Sequence, residues 1–482
     1  MSAVLHRNFR ASLGVAVGGD GCYLIDAQGR RYLDASGGAA VSSLGHSNAR
    51  VVAAIQRQLT ALPYAHTSFF TNQPVESLAT RLIERAPPGF GAGRAAFVGS
   101  GSEAMEVALK FARQYWVERG ESARSHFIAR RSSYHGNTLG ALAVGGHLQR
   151  RAMYAPMLMD VSHISPCHAY RLQAEGESSE AYGLRAADEL DAAIEHAGAG
   201  RVAAFIAEPV VGATLGSVPA VPGYFRRIRE ICDRHGVLFI ADEVMCGMGR
   251  TGTLFAMEQE GVAPDLITLG KGLGAGYLPI GAMLASQRVV AAIEGQSGVL
   301  ANGHTYMSHA VACAGALAVL DCMDDDDLLA NVCARGNELA AALAARFGAH
   351  PQVGDIRGRG LFQSIELVAD RATRQPLPAK RGLAERIRAI ALEHGLICYP
   401  SSGTVDGESG EHVLLAPPYI VTSAHIAEMV DKLATTLEIA LRAAPLPSGM
   451  PAAAPSRPDP PNLRAPSVHA PSTTLNSNLE SP

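Results

Sequence analysis

The chain of 482 residues lacks the features that mark membrane, secreted and nucleic-acid-binding proteins. Its longest apolar run, Ala310 to Leu320, is too short to cross a bilayer. A formal net charge of −4 leaves no basic field for nucleic acid. The first residues lack the apolar core of a signal peptide and the Ser- and Arg-rich character of a transit peptide. We therefore expect a cytoplasmic protein with neither a membrane nor a nucleic-acid partner.

Closely spaced cysteine pairs are also absent. The eight cysteines are scattered and form no C-x-x-C pair, so we expect reduced, mostly buried thiols and neither a zinc site nor a disulfide framework. The acidic run Asp324 to Asp327 favours a solvated helix junction, because a metal site would need oxygen ligands spaced around a loop. No metal site and no internal repeat are predicted.

Length and composition favour an α/β enzyme with two lobes, since 48% of the residues are hydrophobic and 50 are glycine. Residues 21–34 predict a hairpin, and helical and strand patterns alternate from about residue 75, as in a doubly wound, mostly parallel sheet. After about residue 310 the pattern is that of a smaller α+β domain. The tail carries ten of the 27 prolines and predicts disorder. The expected divisions are an N-terminal segment contributing to the small domain (1–60), a large domain (61–310), the small domain (311–442) and the disordered Pro-rich tail (443–482).

Two polar residues stand where apolar strands are predicted to end. Asp242 ends the run from Val237, and Lys271 follows the run from Leu266, between two glycines. Their spacing of 29 residues fits one crossover between parallel strands, which would bring both ends to one edge of the sheet. A lysine and a buried carboxylate are what pyridoxal phosphate chemistry needs: a Schiff base with the cofactor aldehyde, and a partner for the pyridine nitrogen.

A second segment predicts an anion-binding turn. Residues 95–110 read as a strand, a glycine-containing turn and a helix, with Ser100 and Glu103 forming the S-x-x-E start of a capping box. Backbone N–H groups, the Ser102 hydroxyl and the helix dipole together favour binding of a phosphate.

Two further strand ends add an aromatic ring and a carboxylate. Tyr134 follows a short apolar run, and Tyr134 with Val244 would hold a flat ring between them. Glu208, directly before a proline, would stand at the same sheet edge beside Asp242.

Together these motifs resemble the class III pyridoxal phosphate-dependent aminotransferases, of the omega-aminotransferase type and of transferase fold type I. The resemblance covers roughly residues 10–440. The motifs that carry it, in chain order, are Gly99–Ala104, Tyr134–Gly136, Ala207–Pro209, Ala241–Val244 with Gly249–Gly252, Leu269–Gly272 and Thr305.

The resemblance implies a role for each matching residue. Lys271 would form the internal aldimine and shuttle the proton, Asp242 would pair with the pyridine nitrogen, and Val244 and Tyr134 would enclose the ring. Gly101 with Ser102 would form the phosphate loop, while Thr305 would reach the phosphate of the neighbouring subunit, which implies a homodimer or a larger homo-oligomer with shared sites. The catalytic residues implied are Lys271 and Asp242, and the cofactor-binding residues implied are Ser100, Gly101, Ser102, Tyr134, His135, Gly136, Glu208, Asp242, Val244, Lys271 and Thr305.

The substrates implied are a small-molecule amine and a keto acid. Some similar enzymes bind a substrate carboxylate with an arginine just before the Ala-Pro-Pro motif, but residues 395–418 contain neither arginine nor lysine. We therefore expect donors that lack a carboxylate near the reacting carbon, with pyruvate favoured as acceptor and 2-oxoglutarate possible. Phe69 and Phe70 are candidates for lining the substrate pocket, although an aromatic pair of this kind is more often part of a core.

Four rival interpretations remain open at this stage. The same fold and lysine also serve aminomutases, racemases and a decarboxylase, which differ in the bond broken or in where the amine ends. A catalytically silent protein that kept the scaffold, with the proline-rich tail as a docking arm, is another. The presence of Lys271, Asp242 and the phosphate loop argues against that last reading.

Overall fold

The structure is a computed structural model that describes residues 2–10, 12–378 and 382–442. The tail predicted to be disordered, 443–482, lies outside the described residues. The described residues from Val15 onward belong to one compact unit. Those before Val15 belong to another, in which the His6 N–H donates to the Val4 carbonyl at 3.0 Å.

Helices and strands alternate along most of the chain. The strands are β1 (Ala16–Asp20), β2 (Tyr23–Asp26), β3 (Arg31–Asp34), β4 (Arg94–Val98), β5 (His126–Arg130), β6 (Val161–Ile164), β7 (Val202–Ala207), β8 (Val210–Val211), β9 (Val218–Pro219), β10 (Leu238–Asp242), β11 (Leu266–Leu269), β12 (Gly281–Ala285), β13 (Val353–Arg359), β14 (Phe362–Asp370), β15 (Gln375–Pro376), β16 (Leu396–Ile397), β17 (Tyr399–Ser402) and β18 (Glu411–Leu415). The helices are α1 (Gly37–Ala40), α2 (Ala49–Ala61), α3 (Gln73–Glu84), α4 (Gly101–Glu118), α5 (Leu139–Val144), α6 (Leu148–Ala152), α7 (Ala169–Leu172), α8 (Ser179–Ala197), α9 (Tyr224–His235), α10 (Gln287–Glu294), α11 (Ala310–Asp325), α12 (Leu328–Phe347), α13 (Leu383–Glu393) and α14 (Ser423–Arg442).

A seven-stranded sheet with the order β4-β12-β11-β10-β7-β5-β6 forms the centre of the large lobe. The neighbours β11, β10, β7, β5 and β6 pair in parallel, and β12 alone runs antiparallel to both strands beside it. The predicted α/β class with a mostly parallel sheet is confirmed. Parallel strands place their carboxyl ends at one edge, where sites form in sheets of this kind.

Helices cover both faces of this sheet. Side chains alternate between the two faces along β10: Leu238 and Ile240 pack in the cluster that contains α4, whereas Phe239 packs in the cluster that contains α8 and α9. All five residues of β10 are buried, which explains why its sequence reads as a continuous apolar run ending in a single carboxylate.

The remaining strands form smaller sheets. An antiparallel sheet with the order β13-β14-β18-β17 gives the second lobe its β structure. The predicted hairpin is present as β2 and β3, and β3 pairs in parallel with β16, so the first strands join a segment near residue 396.

The acidic run 324–327 lies at the end of helix α11. This helix runs from Ala310 to Asp325, so half of the run lies within it rather than in a junction. Arg85 contacts both carboxylate oxygens of Asp324, the nearer at 2.8 Å, and Arg81 and Arg50 pair with neighbouring acidic side chains. The described residues include no cluster of side chains that could hold a metal ion. None of the helices in the described chain is both long and apolar enough to cross a membrane.

Candidate active site

Three parallel strands deliver polar residues to one edge of the large sheet. Asp242 is the last residue of β10, opposite Thr268 of β11, and Glu208 directly follows β7, which pairs with β10 in register. Lys271 follows β11 by two residues rather than ending it, and it begins a short 3₁₀ turn. Its backbone φ of +41° is in the left-handed region, which residues other than glycine rarely adopt. Backbone strain of this kind is common where a side chain must be aimed at a functional site.

Asp242 is held by three hydrogen-bond partners. Its Oδ2 lies 2.7 Å from Nδ1 of His135, and its Oδ1 accepts from the Val244 N–H at 3.0 Å and from the Thr268 hydroxyl at 3.3 Å. Only 3% of Asp242 is exposed. The carboxylate is therefore fixed in place and shielded from water, as a group that must hold a charge on a ligand should be.

Glu208 is a second buried carboxylate beside Asp242. Its Oε1 accepts from the Tyr134 N–H at 3.2 Å, and its Oε2 lies 3.8 Å from a guanidinium nitrogen of Arg130. Burial raises the pKa of Glu208 above its ordinary value, while nearby His135 and Arg130 oppose this shift. Among the described residues, Oε2 has no hydrogen-bond donor, so it can still accept one from a ligand.

The same cluster acts on the lysine. Burial lowers the pKa of the Lys271 amine, and Asp242 and Glu208 counter part of that effect. A larger share of the amine is therefore neutral near pH 7 than for an exposed lysine. Only the neutral amine is a nucleophile or a base.

Helix α4 begins at the edge where these residues meet. The Ser100 side chain caps it by accepting from the Glu103 N–H at 3.2 Å, and Glu103 accepts from the Gly99 N–H at 2.8 Å. The predicted cap is confirmed, with Glu103 reaching one residue further back than in the usual capping box. The N–H groups of Gly101 and Ser102 have no acceptor within the helix. The helix start can therefore bind an anion.

Glycine is required on both sides of this helix start. A Cβ on Gly101 would lie 2.7 Å from Val244 Cγ1, and a Cβ on Gly136 would lie 2.8 Å from Ser102 Oγ. The Asn137 N–H donates to Ser102 Oγ at 3.0 Å and so joins the turn after Tyr134 to the helix start. Bulkier residues would close the space that the cavity uses.

A cavity of about 150 Å³ lies where these elements meet. Every predicted cofactor-binding residue except Thr305 lines it. Four further lining residues were not predicted from the sequence, which offers no polar signal for them: Val210, Ala213, Met245 and Cys246.

Three predicted residues do not line this cavity within one chain. Thr305 is exposed, and its carbonyl accepts from the Tyr64 hydroxyl at 2.9 Å. Phe69 is 78% and Phe70 69% exposed, because they belong to a turn on the surface between α2 and α3. Within a single chain, the pair is therefore not part of a core. Their proposed place in a substrate pocket remains a prediction for an assembled protein.

Two buried ionisable side chains, Glu243 and Arg250, hold the loop after β10 in place. Glu243 accepts from the N–H groups of Ala256 and Met257 at 2.6 and 2.9 Å, and burial raises its pKa to about 8. The Arg250 guanidinium donates to the carbonyls of Leu361 and Pro417 at 3.1 and 2.6 Å. Arg250 thereby ties the loop after β10 to the segment that follows β18.

The residues at this edge fit pyridoxal phosphate. The helix start supplies unpaired N–H groups for a phosphate, and Asp242 supplies a buried carboxylate for a protonated ring nitrogen. Tyr134 and Val244 both line the cavity and could enclose a ring, and Lys271 supplies an amine.

The sequence matches a known enzyme family over most of its length. The family model described as aminotransferase class-III matches residues 6–437. The chain belongs to the class III aminotransferases. It is a transaminase that uses pyridoxal phosphate, with the transferase fold of type I that its sequence predicts.

Individual relatives agree with this assignment. An uncharacterized aminotransferase of Schizosaccharomyces pombe is 44% identical over 427 residues, which cover 88% of this chain and 93% of the relative. The omega transaminase of Pseudomonas jessenii in complex with PMP has a TM-score of 0.83 at 34% identity, covering 89% of this chain and 93% of that one. A thermostable (S)-enantioselective omega-transaminase of Thermomicrobium roseum has the same TM-score at 33% identity, covering 90% and 94%.

Proposed function

We propose that this transaminase moves an amino group from an amine or omega-amino donor to a keto acid, with pyruvate favoured over 2-oxoglutarate as acceptor. The donors are amines without a carboxylate near the reacting carbon. Lys271 is the residue that binds the cofactor covalently, and Asp242 is its partner at the ring nitrogen. The observation that carries the proposal is the convergence of Lys271, Asp242 and the start of α4 on one cavity.

The bound cofactor supplies an aldehyde that takes up the amino group and a protonated ring that withdraws electrons from the reacting carbon. Asp242 keeps the proton on the ring nitrogen by pairing its negative charge with it. His135, Thr268 and Val244 hold the carboxylate in position for this pairing. Because Asp242 is buried, the pairing is stronger than it would be in water.

Lys271 acts as the base that moves the substrate proton. Burial lowers the pKa of its amine, so a larger share of the amine is neutral near pH 7 than for an exposed lysine. A base whose pKa is near the working pH transfers protons most effectively. Glu208 lines the same cavity, and its buried carboxyl accepts from the Tyr134 N–H, which positions the aromatic residue that would stack on the ring.

The donor preference rests on the arginine-free stretch before Pro417. This stretch contains β17, β18 and the loop 403–410 between them. A Cβ on Gly407 would lie 3.4 Å from Leu148 Cβ, so the loop packs on α6, which lies a few residues beyond the Tyr134 turn. No cation from this stretch is available to a donor carboxylate.

We also propose a cytoplasmic homodimer, or a larger homo-oligomer, whose sites are shared between subunits. Thr305 is exposed and would reach the phosphate bound by a neighbouring subunit. The exposed aromatic residues near it support an interface: Tyr306 is 67% exposed and contacts Tyr64. Seven of the eight cysteines are buried and all are unpaired, which suits a reducing compartment.

A donor and acceptor panel on the holoenzyme tests the function. The absorbance of the cofactor should bleach with a suitable amine and return with pyruvate. Net amine transfer to pyruvate would also separate this reaction from those of aminomutases, racemases and decarboxylases. Efficient turnover only with carboxylated amines such as 4-aminobutyrate or ornithine would refute the donor preference.

A further inference from the structure

An arginine lies on the aromatic ring that borders the candidate cofactor cavity. The guanidinium carbon of Arg150, in the short helix α6, is 4.6 Å from the centroid of the Tyr134 ring. Tyr134 lines the cavity together with Lys271. A guanidinium stacked on a ring face keeps its N–H donors at the ring's edge available to other groups.

The charge of Arg150 is not used elsewhere in the described part of the chain. Residues 2–10, 12–378 and 382–442 provide no carboxylate that pairs with it and no hydrogen-bond acceptor for it. Two arginines on the neighbouring strand end, Arg130 and Arg131, differ in this respect. Arg130 donates to the Glu208 carbonyl, and Arg131 donates to the His163 carbonyl at 3.0 Å.

Arg150 is also close enough to act on the reacting groups. Its positive charge contributes to lowering the pKa of Lys271, although less than burial does. The helix that carries it packs against the loop 403–410, since a Cβ on Gly407 would lie 4.0 Å from the backbone nitrogen of Gln149. The guanidinium of Arg150 therefore lies on a ring that lines the candidate cofactor cavity, while the helix that carries it contacts the stretch that lacks cations.

A transaminase of the proposed type needs one cation for one of its two substrates. The amine donor carries no carboxylate near the reacting carbon, whereas the keto acid carries one. Residues 395–418 hold no lysine or arginine that could bind this carboxylate. A planar guanidinium binds a carboxylate through two parallel N–H bonds, which also orients the carbonyl beside it.

We propose that Arg150 binds the carboxylate of the carbonyl substrate over the edge of the Tyr134 ring, and so makes the enzyme selective for keto acids in the second half of the reaction. This inference rests on the proposed function and deepens it. Arg150 is a specificity-determining residue in this account, and the phosphate remains with Gly101 and Ser102.

The test is the second half-reaction, followed by absorbance in the amine-loaded holoenzyme. Three acceptors are compared: pyruvate, succinic semialdehyde with its distal carboxylate, and butanal without one. In Arg150→Ala we expect kcat/KM for at least one carboxylated acceptor to fall about 10- to 100-fold, mainly through KM, while butanal is unaffected. Loss with pyruvate alone places the bound carboxylate next to the carbonyl, and loss with the semialdehyde alone places it at the far end.

Matched variants separate this role from a structural one. Arg150→Lys should show a smaller loss of kcat/KM than Arg150→Ala, because lysine keeps the positive charge but lacks the two parallel N–H donors of the guanidinium. Gln149→Ala, next to Arg150 on the same helix, should behave like the wild type. An equal loss with all three acceptors, or no loss with either carboxylated one, would overturn the inference.

Cofactor binding provides a readout apart from turnover. The affinity of the apoenzyme for pyridoxal phosphate, measured by fluorescence titration, should be unchanged in Arg150→Ala. A weaker affinity would assign Arg150 to the cofactor and overturn the inference. If the wild type responds to no amine, the proposed function fails and takes the inference with it. If the wild type does respond to an amine but Arg150→Ala keeps the acceptor selectivity of the wild type, the inference fails while the proposed function stands.

Discussion

Nδ1 of His135 lies 2.7 Å from Oδ2 of Asp242, and both side chains are buried. An ionised carboxylate can only accept, so this contact places the histidine proton on Nδ1. His135 therefore orients the carboxylate that is to pair with the ring nitrogen, and it does so from the Tyr-His-Gly turn that also supplies Tyr134. The two motifs depend on each other although 107 residues separate them.

Replacing His135 tests this dependence. His135→Leu leaves Asp242 without one charged hydrogen bond, and we expect kcat to fall about 10- to 100-fold. His135→Asn, whose amide can donate from a similar position, should retain more activity. Steady-state kinetics with saturating cofactor measure the effect. Equal activity in His135→Leu and the wild type would show that the contact does not position the carboxylate.

Lys271 can be identified chemically as the residue that binds the cofactor covalently. Reduction of the holoenzyme with borohydride should fix the cofactor on the peptide that contains Lys271, as read by mass spectrometry. Lys271→Ala should lose this label and at least about 100- to 10,000-fold in kcat, the range that a general base contributes. The exposed Lys110 provides the control, since Lys110→Ala should keep both the label and the activity. Labelling of another lysine in the wild type would refute the assignment.

Thr305 tests whether the site is shared between subunits. We expect the wild type to run as a dimer or larger species in size exclusion with light scattering. Thr305→Ala should bind pyridoxal phosphate about 10- to 100-fold more weakly, because a charged hydrogen bond to the phosphate is lost, while its mass stays the same. Thr60→Ala on the exposed side of α2 is the control. A monomeric wild type with full activity would contradict the shared site.

The strand ends were predictable from the sequence because the physics that places them is local. A buried parallel strand must be apolar throughout, so the first polar residue after it marks the sheet edge, and Asp242 and Glu208 are both found there. The capped turn before α4 was also predictable, since its two capping residues are only three positions apart in the sequence.

Residues that act through distant contacts left no such signal. Arg150 is one exposed arginine among many in the sequence, and only the fold places it on Tyr134. Cys246 and Val210 also line the cavity, but in the sequence nothing distinguishes them from other apolar residues. The reverse holds for three residues that the sequence suggested but the structure leaves on the surface of a single chain: Thr305, Phe69 and Phe70. Their predicted roles need a second subunit.

His412, in strand β18, makes the stability of the folded chain sensitive to acid. Burial, together with the charges of Arg357 and His147, lowers its pKa to about 3, against an ordinary value of 6.5. The unfolded chain therefore binds this proton and the folded chain does not between about pH 3 and 6.5, so stability falls as the pH falls through that range. Between pH 7 and 5 this group should cost about 2 kcal/mol of the free energy of unfolding.

His412→Asn removes this titration and keeps an acceptor for the Thr404 hydroxyl, which lies 2.8 Å from Nδ1. Urea unfolding of the apoenzyme at pH 7 and pH 5 should therefore show a smaller loss for the variant. An identical loss in both proteins would show that His412 is protonated in the folded state.

Arg250 should be needed for the stability of the junction between the loop after β10 and the segment after β18. Its guanidinium donates to the carbonyls of Leu361 and Pro417 and lies 4.6 Å from the Tyr419 ring centroid. Arg250→Met fills similar space but leaves two buried carbonyls without a donor, at a cost of about 1–3 kcal/mol for each. Arg250→Lys keeps a charged donor but loses the planar guanidinium, so its stability should lie between that of Arg250→Met and that of the wild type. Thermal unfolding with the cofactor bound measures the order, and a variant Arg250→Met as stable as the wild type would show that water replaces the guanidinium at both carbonyls.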